Sequence, residues 1–191
     1  MDFKELLQKR RSIRDFEDKP VSVELVMEML KETTLAPSAS NAQPCKFIII
    51  TERALIKRLS DDSKANLLKD FAVNPNDRLR MYVDVLKNEA FNVFYNAPCL
   101  VLVVGERNMP TMDFDAALTV AYLMFAATSR GLGTCWINLG ANVRDQGLRR
   151  ELCVPEDYRI VAPIIIGYPK EIPEPSARHD ARVLKIIPGK V

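Results

Sequence analysis

Histidine is nearly absent from this chain: 191 residues contain one, His179. A Ser/His/Asp or Cys/His pair therefore has no base to activate its nucleophile in the body of the chain. The four cysteines, Cys45, Cys99, Cys135 and Cys153, form no C-x-x-C pair. With a single histidine beside them they offer no zinc or iron–sulfur ligand set, and Cys135 has no nearby resolving cysteine. An excess of charge of one sign is also missing. The 27 Lys plus Arg against 25 Asp plus Glu leave a net charge of +2, so no whole-molecule field recruits nucleic acid or an anionic membrane, and any basic site must be local. The longest apolar stretch, 116–127, falls short of the roughly 20 residues of a membrane span, and residues 1–14 are charged without the apolar run of a secretory signal. Neither G-x-G-x-x-G nor a Walker motif occurs. These absences predict a soluble, cytoplasmic protein without nucleic-acid or membrane partners, whose chemistry is carried by a bound cofactor rather than by a side chain.

What is present is enough for a folded domain. Apolar residues make up 48% and charged residues 27%, ordinary for a globular chain long enough to bury a sizeable core. No repeat or linker divides it, so 1–191 reads as one domain. Residues 2–10 carry Phe3, Leu6 and Leu7 at helical spacing. Ser22 is placed as an N-cap with Val21 and Val26 as a hydrophobic staple, and the helix after it stops at Ala36-Pro37. The runs 47–51, 99–104, 134–138 and 159–167 predict strands. Helices are expected over 52–60, 77–95, 113–130 and 142–153, with Asn74-Pro75-Asn76-Asp77 as a break and Gly131 as a C-terminal stop. Val183-Leu184-Lys185-Ile186-Ile187 is a candidate addition to a sheet edge. Strands and helices alternate without a strict βαβ rhythm, which favours an α+β layered domain.

Three segments are candidates for binding. Arg10, Arg11, Ser12 and Arg14 gather three guanidiniums and a hydroxyl, and an extended backbone puts Ser12 and Arg14 on one face. They suit a phosphate, or else a solvated patch closing a helix C-terminus. The loop Pro37-Ser38-Ala39-Ser40-Asn41-Ala42-Gln43-Pro44 offers short donors and acceptors to a flat heteroaromatic edge, or is an ordinary helix-to-strand connection. Around Trp136, Ile137, Asn138, Leu139 and Gly140, the strand end either belongs to the core or lets backbone approach a planar ligand.

In order along the chain, these segments resemble the nitroreductase family of FMN enzymes. The resemblance rests on Arg10-Arg11-Ser12-Ile13-Arg14-Asp15-Phe16, Lys19-Pro20-Val21, the 36–44 loop with Phe47, Asn96-Ala97-Pro98, the alanine-rich helix ending in Gly131-Leu132-Gly133-Thr134, and Ile166-Gly167-Tyr168-Pro169. It implies an α+β fold with a central, mostly antiparallel sheet flanked by helices, in an interlocked homodimer with FMN at the subunit interface. By resemblance, Arg10, Arg11, Ser12 and Arg14 contact the phosphate, ribityl chain and pyrimidine edge. Pro37, Ser38, Ser40 and Asn41 line the flavin from the partner subunit, 136–140 lie beside its ring, and Arg178 in the tail, rather than Arg182, returns to the phosphate. The implied activity is two-step hydride transfer from NADH or NADPH to an oxidised small molecule, a nitroaromatic or quinone among them, with no catalytic side chain; the alternatives are a non-catalytic flavin-binding or sensing protein, or dehalogenating or flavin-cleaving chemistry on the same fold. Two departures stand out: Cys45 where the family often has an aromatic, and the stretch 61–92, which matches no family motif and is the expected substrate-side cover with 74–76 at its tip.

Overall fold

A computed structural model describes residues 1–74 and 76–189. Four strands, β1 (Lys46–Ile50), β2 (Cys99–Glu106), β3 (Gly133–Trp136) and β4 (Tyr158–Gly167), form one sheet in the order β1-β2-β4-β3, with every pairing antiparallel. Around it lie α1 (Phe3–Lys9), α2 (Val23–Thr33), α3 (Arg53–Val73), α4 (Val83–Lys87), α5 (Met112–Ser129) and α6 (Gln146–Glu151).

The sheet is covered on both faces. Leu100, Leu102 and Val104 of β2 join the core that holds Leu55, Ile56 and Leu59 of α3 and Leu148 of α6. The alternate residues Cys99, Val101 and Val103 join Val26 and Met29 of α2 and Ala116, Val120 and Leu123 of α5. Burial on both faces explains why the strands read as unbroken apolar runs, a pattern more usual in parallel sheets. A register shift between Val103 and Val104 leaves Val161 without a counterpart on β2.

Local signals behave as their chemistry demands. The Ser22 hydroxyl accepts from the Leu25 amide, capping α2. At the end of α5, Gly131 takes φ +74°, its amide donates to Thr128 O, and Leu132 donates to Ala127 O, a Schellman closure. At Gly133 the reason for glycine is closeness: a Cβ there would stand 2.6 Å from Ile13 Cγ1. That approach lets residues 10–17 run along the rim of the sheet, with Ser12 bridged to Thr134 and Phe16 to Pro169.

Several expected elements differ. The helix expected over 52–60 continues to Val73. Its buried side carries Ser60, Ser63, Lys64 and Asn66, so apolar spacing fades while the helix goes on. The expected helix over 77–95 shrinks to a 3₁₀ turn, Arg78–Tyr82, followed by α4, and that over 142–153 shrinks to α6. The tail adds no strand to the sheet within its own chain: residues 170–189 have no regular secondary structure and are exposed, Leu184 fully so. Of the expected lid tip, Asn74 caps α3, and Pro75 lies outside the described residues. Among those residues no helix is long and apolar enough to cross a membrane.

Candidate flavin site

The amino-terminal cluster and the tail meet. Arg10, Arg11, Ser12, Arg14 and Arg178 line one cleft of about 750 Å³, with Glu174 the single carboxylate on its wall. The extended rim strand produces this convergence: Ile13 turns into the core, its amide donates to Thr134 O at 3.0 Å, and its neighbours Ser12 and Arg14 are left exposed. Arg11 is half-buried. Its Nη1 donates to Arg10 O at 2.7 Å, while its Nε is buried without an acceptor. Arg182 is not on the cleft wall.

Arg14 leans over the Tyr95 ring, 5.8 Å from its centroid, a separation at which the ring quadrupole attracts a cation. Tyr95 and Asn96 both have positive φ, 53° and 52°, where a side chain costs about 1–3 kcal/mol. Behind the cluster, burial pushes the Cys135 thiol up, and Arg14, Ser12 and Arg10 pull it back toward its usual range. A thiol held protonated in this way is no nucleophile.

The 37–44 loop lies elsewhere. It precedes β1, one edge of the sheet, whereas Ser12 bridges β3, the other edge. Four strand spacings separate the two sets by roughly 19 Å within one chain. The loop is held in an unusual shape: Ser40, Asn41 and Gln43 all have positive φ. The Ser38 hydroxyl accepts from Gln43 N at 3.0 Å, and Asp115 Oδ1 accepts from Ala39 N at 2.9 Å. Pro37, Ser40 and Asn41 are consequently exposed, with Ser38 half-buried beneath them. Cys45, in the expected aromatic position, is half-buried near Thr119 and Asp115, and burial raises its thiol.

The 136–140 turn is more committed to the protein than its sequence suggests. Ile137 is core and donates to Pro163 O. Gly140 donates to Ile137 O, and its missing side chain is occupied by Phe94, since a Cβ would meet Phe94 Cε1 at 2.2 Å. Asn138 is exposed, Leu139 half-buried, and Trp136 is half-buried with its Nε1 buried and unpartnered. None of the five reaches the arginine cleft. Sequence reasoning overlooked Tyr95 and Asp115. Tyr95 directly precedes the Asn96-Ala97-Pro98 motif. Asp115 reads as a routine acid in the first turn of a helix, and only the fold reveals that it is 2% exposed.

This geometry accompanies a match to the Nitroreductase family over residues 7–168, most of the chain. The chain belongs to that family. The 5,6-dimethylbenzimidazole synthase of Rhodospirillum rubrum is 30% identical over 184 residues, spanning 88% of this chain and 84% of the relative. The iodotyrosine deiodinase of Thermotoga neapolitana is 29% identical over 175 residues, spanning 90% of each. Among solved structures, a nitroreductase with bound FMN from Bacteroides fragilis superposes with a TM-score of 0.80 at 23% identity, covering 98% of this chain and 99% of that one. The α+β nitroreductase fold, with its antiparallel sheet between helices, is therefore the fold of this protein.

Proposed function

We propose that this nitroreductase-family protein is an FMN-dependent oxidoreductase that works as a homodimer. One observation carries the reading: Arg10, Arg11, Arg14 and Arg178 reach one cleft from two ends of the chain, beside the Ser12 hydroxyl. The donor set fits the cofactor. Guanidinium forks match phosphate oxygens, and the Nε of Arg11, on the cleft wall, has no acceptor within the protein. When bound, FMN supplies two-electron chemistry, accepting hydride from NADH or NADPH and delivering it to an oxidised small molecule such as a nitroaromatic or quinone.

The side chains bind and orient. Arg10, Arg11, Ser12 and Arg178 are assigned to the phosphate and ribityl chain, and Arg14 to the pyrimidine edge, where a cation favours negative charge on the ring. Pro37, Ser38, Ser40 and Asn41 are assigned to the partner subunit's half of the site, because within one chain they stand at the opposite sheet edge. Residues 136–140 are assigned to the flavin ring, with the exposed Asn138 and half-buried Leu139 carrying the contact, since Ile137 and Gly140 use their amides internally. No side chain is assigned as acid, base or nucleophile.

The homodimer rests on unpartnered apolar surface. Phe114, Leu118 and Tyr122 form an exposed stripe on α5 at i, i+4 and i+8. Among the described residues no strand lies beside the outer edge of β1, and Val183, Leu184, Ile186 and Ile187 are all exposed on the tail. Large apolar side chains left exposed in this number are what an interface would cover.

The test is an absorbance spectrum of the purified protein before and after anaerobic NADH or NADPH. Flavin bands that bleach, and return when a nitroaromatic or quinone is added, are expected. A colourless protein that takes up no FMN overturns the reading, and bands that resist both nicotinamides remove the donor assignment. A second reading, flavin-cleaving chemistry at the same site, draws on the 30% identity to the R. rubrum synthase. It requires that the flavin be consumed when the reduced protein meets oxygen.

A further inference from the structure

A second arginine cluster lies at the other end of the sheet. Arg107, Arg144, Arg149 and Arg159 line a cleft of about 330 Å³ together with Asn142 and Gln146, and no carboxylate is on its wall. It is distinct from the amino-terminal cleft: Ser12 bridges Thr134, which pairs with Ile166, whereas Arg159 pairs with Gly105. Along β4 that separation is roughly 23 Å.

The four guanidiniums are not equivalent. Arg144 reaches both carboxylate oxygens of Asp70, the Oδ1 contact measuring 2.8 Å. Arg159 pairs with Asp113 at 2.7 Å. These two are neutralised from outside the cleft. Arg107 and Arg149 have no carboxylate partner among the described residues. Their Nη2 atoms instead donate to the same carbonyl, Tyr158 O, at 3.3 and 2.9 Å, and Arg149 also reaches Pro155 O at 3.3 Å. One shared acceptor thus holds two like charges a few ångströms apart. A carbonyl satisfies their N–H groups and leaves their charge uncompensated, and two cations held together on a concave wall raise the local potential for an anion.

We propose that this cleft binds a small phosphate-type anion, orthophosphate or pyrophosphate. Arg107 and Arg149 supply two uncompensated positive charges to an anion that carries two or more negative ones, and their planar forks suit its oxygens. The Gln146 amide and the free edges of Arg144 and Arg159 complete the donor set. The cleft lies at the small end of ligand pockets, which favours an isolated phosphate group over a nucleotide. This site is independent of the flavin reading.

Calorimetric titration of inorganic pyrophosphate into the full-length protein with excess FMN present tests it. One saturable site is expected, weakening as salt rises, with affinity at least tenfold lower in Arg107→Gln and unchanged in Arg14→Gln. Arg107 is the variant of choice because Arg149 also tethers the 155–158 turn. On unmodified protein, amide NMR is expected to show pyrophosphate shifts concentrated at residues 142–149 and 107. No saturable binding, a loss in Arg14→Gln rather than Arg107→Gln, or shifts clustered at residues 10–14 would each overturn the proposal.

Discussion

At the scale of single residues, Asp115 carries more than its place in the chain suggests. Its carboxylate is buried, Oδ1 holds the Ala39 amide, and Oδ2 has no partner. The Ala39 bond anchors a loop in which three non-glycine residues have positive φ, a shape with a cost of about 1–3 kcal/mol per residue that surrounding contacts must offset. A hydrogen bond to a charged acceptor contributes about 1.5–3 kcal/mol. Asp115→Ala is therefore expected to lower stability by about 2 kcal/mol in urea titration and to weaken FMN retention. Asp115→Asn, which keeps an acceptor for Ala39, is expected to lose less than half as much. Equal loss in both variants would mean that the charge, not the bond, is what matters. None of this was legible beforehand, because an acid in the first turn of a helix normally faces solvent, and no local pattern distinguishes one that faces a loop 76 residues earlier in the chain.

At the scale of elements, legibility followed apolar periodicity. The four strands and α5 were recognisable because sequence and burial agree along them. The segment 61–91 was not, and Lys64 shows why. It sits on the buried side of α3, 6% exposed, with its ammonium donating to Asn88 O and Phe91 O at 2.8 Å each and to Glu89 O at 3.5 Å. A lysine at a core position breaks the pattern that marks a helix. Here it caps the carbonyl end of α4 and pins the 88–91 turn. Ser60 does similar work, its hydroxyl accepting from the Val93 amide. The polar face of α3 thus organises the stretch that matches no family motif. Lys64→Met keeps the stem volume and leaves three carbonyls without their donor, with an expected cost of roughly 3 kcal/mol. Hydrogen exchange is expected to show the loss concentrated over residues 83–93. A uniform loss of protection across β2 and β4 would instead tie Lys64 to global stability.

At the scale of the whole molecule, the candidate flavin site is divided. The arginine cleft adjoins β3, the 37–44 loop adjoins β1, and the paired strands between them hold the two apart within one chain. The motif order along the sequence singled out both segments as candidates. It could not show that they stand at opposite edges, because strand order is set by pairing that runs against chain order. If a second copy completes the site, the exposed tail is the natural strap, since it carries both Arg178 and four apolar residues that are largely exposed in their own chain. The two roles are separable by substitution. Burying a side chain the size of Leu184 or Ile187 contributes about 1.5–3 kcal/mol, so Leu184→Asp with Ile187→Asp is expected to weaken dimerisation at least a hundredfold and to release FMN as the dimer separates. Arg178→Ala is expected to weaken FMN binding while the dimer persists. Sedimentation velocity with FMN content measured on each species distinguishes these outcomes. A double variant that stays dimeric would remove the tail from the interface and leave the α5 stripe of Phe114, Leu118 and Tyr122 to carry it, whereas a monomer that keeps its full complement of FMN would break the link between dimer and cofactor on which the divided site depends.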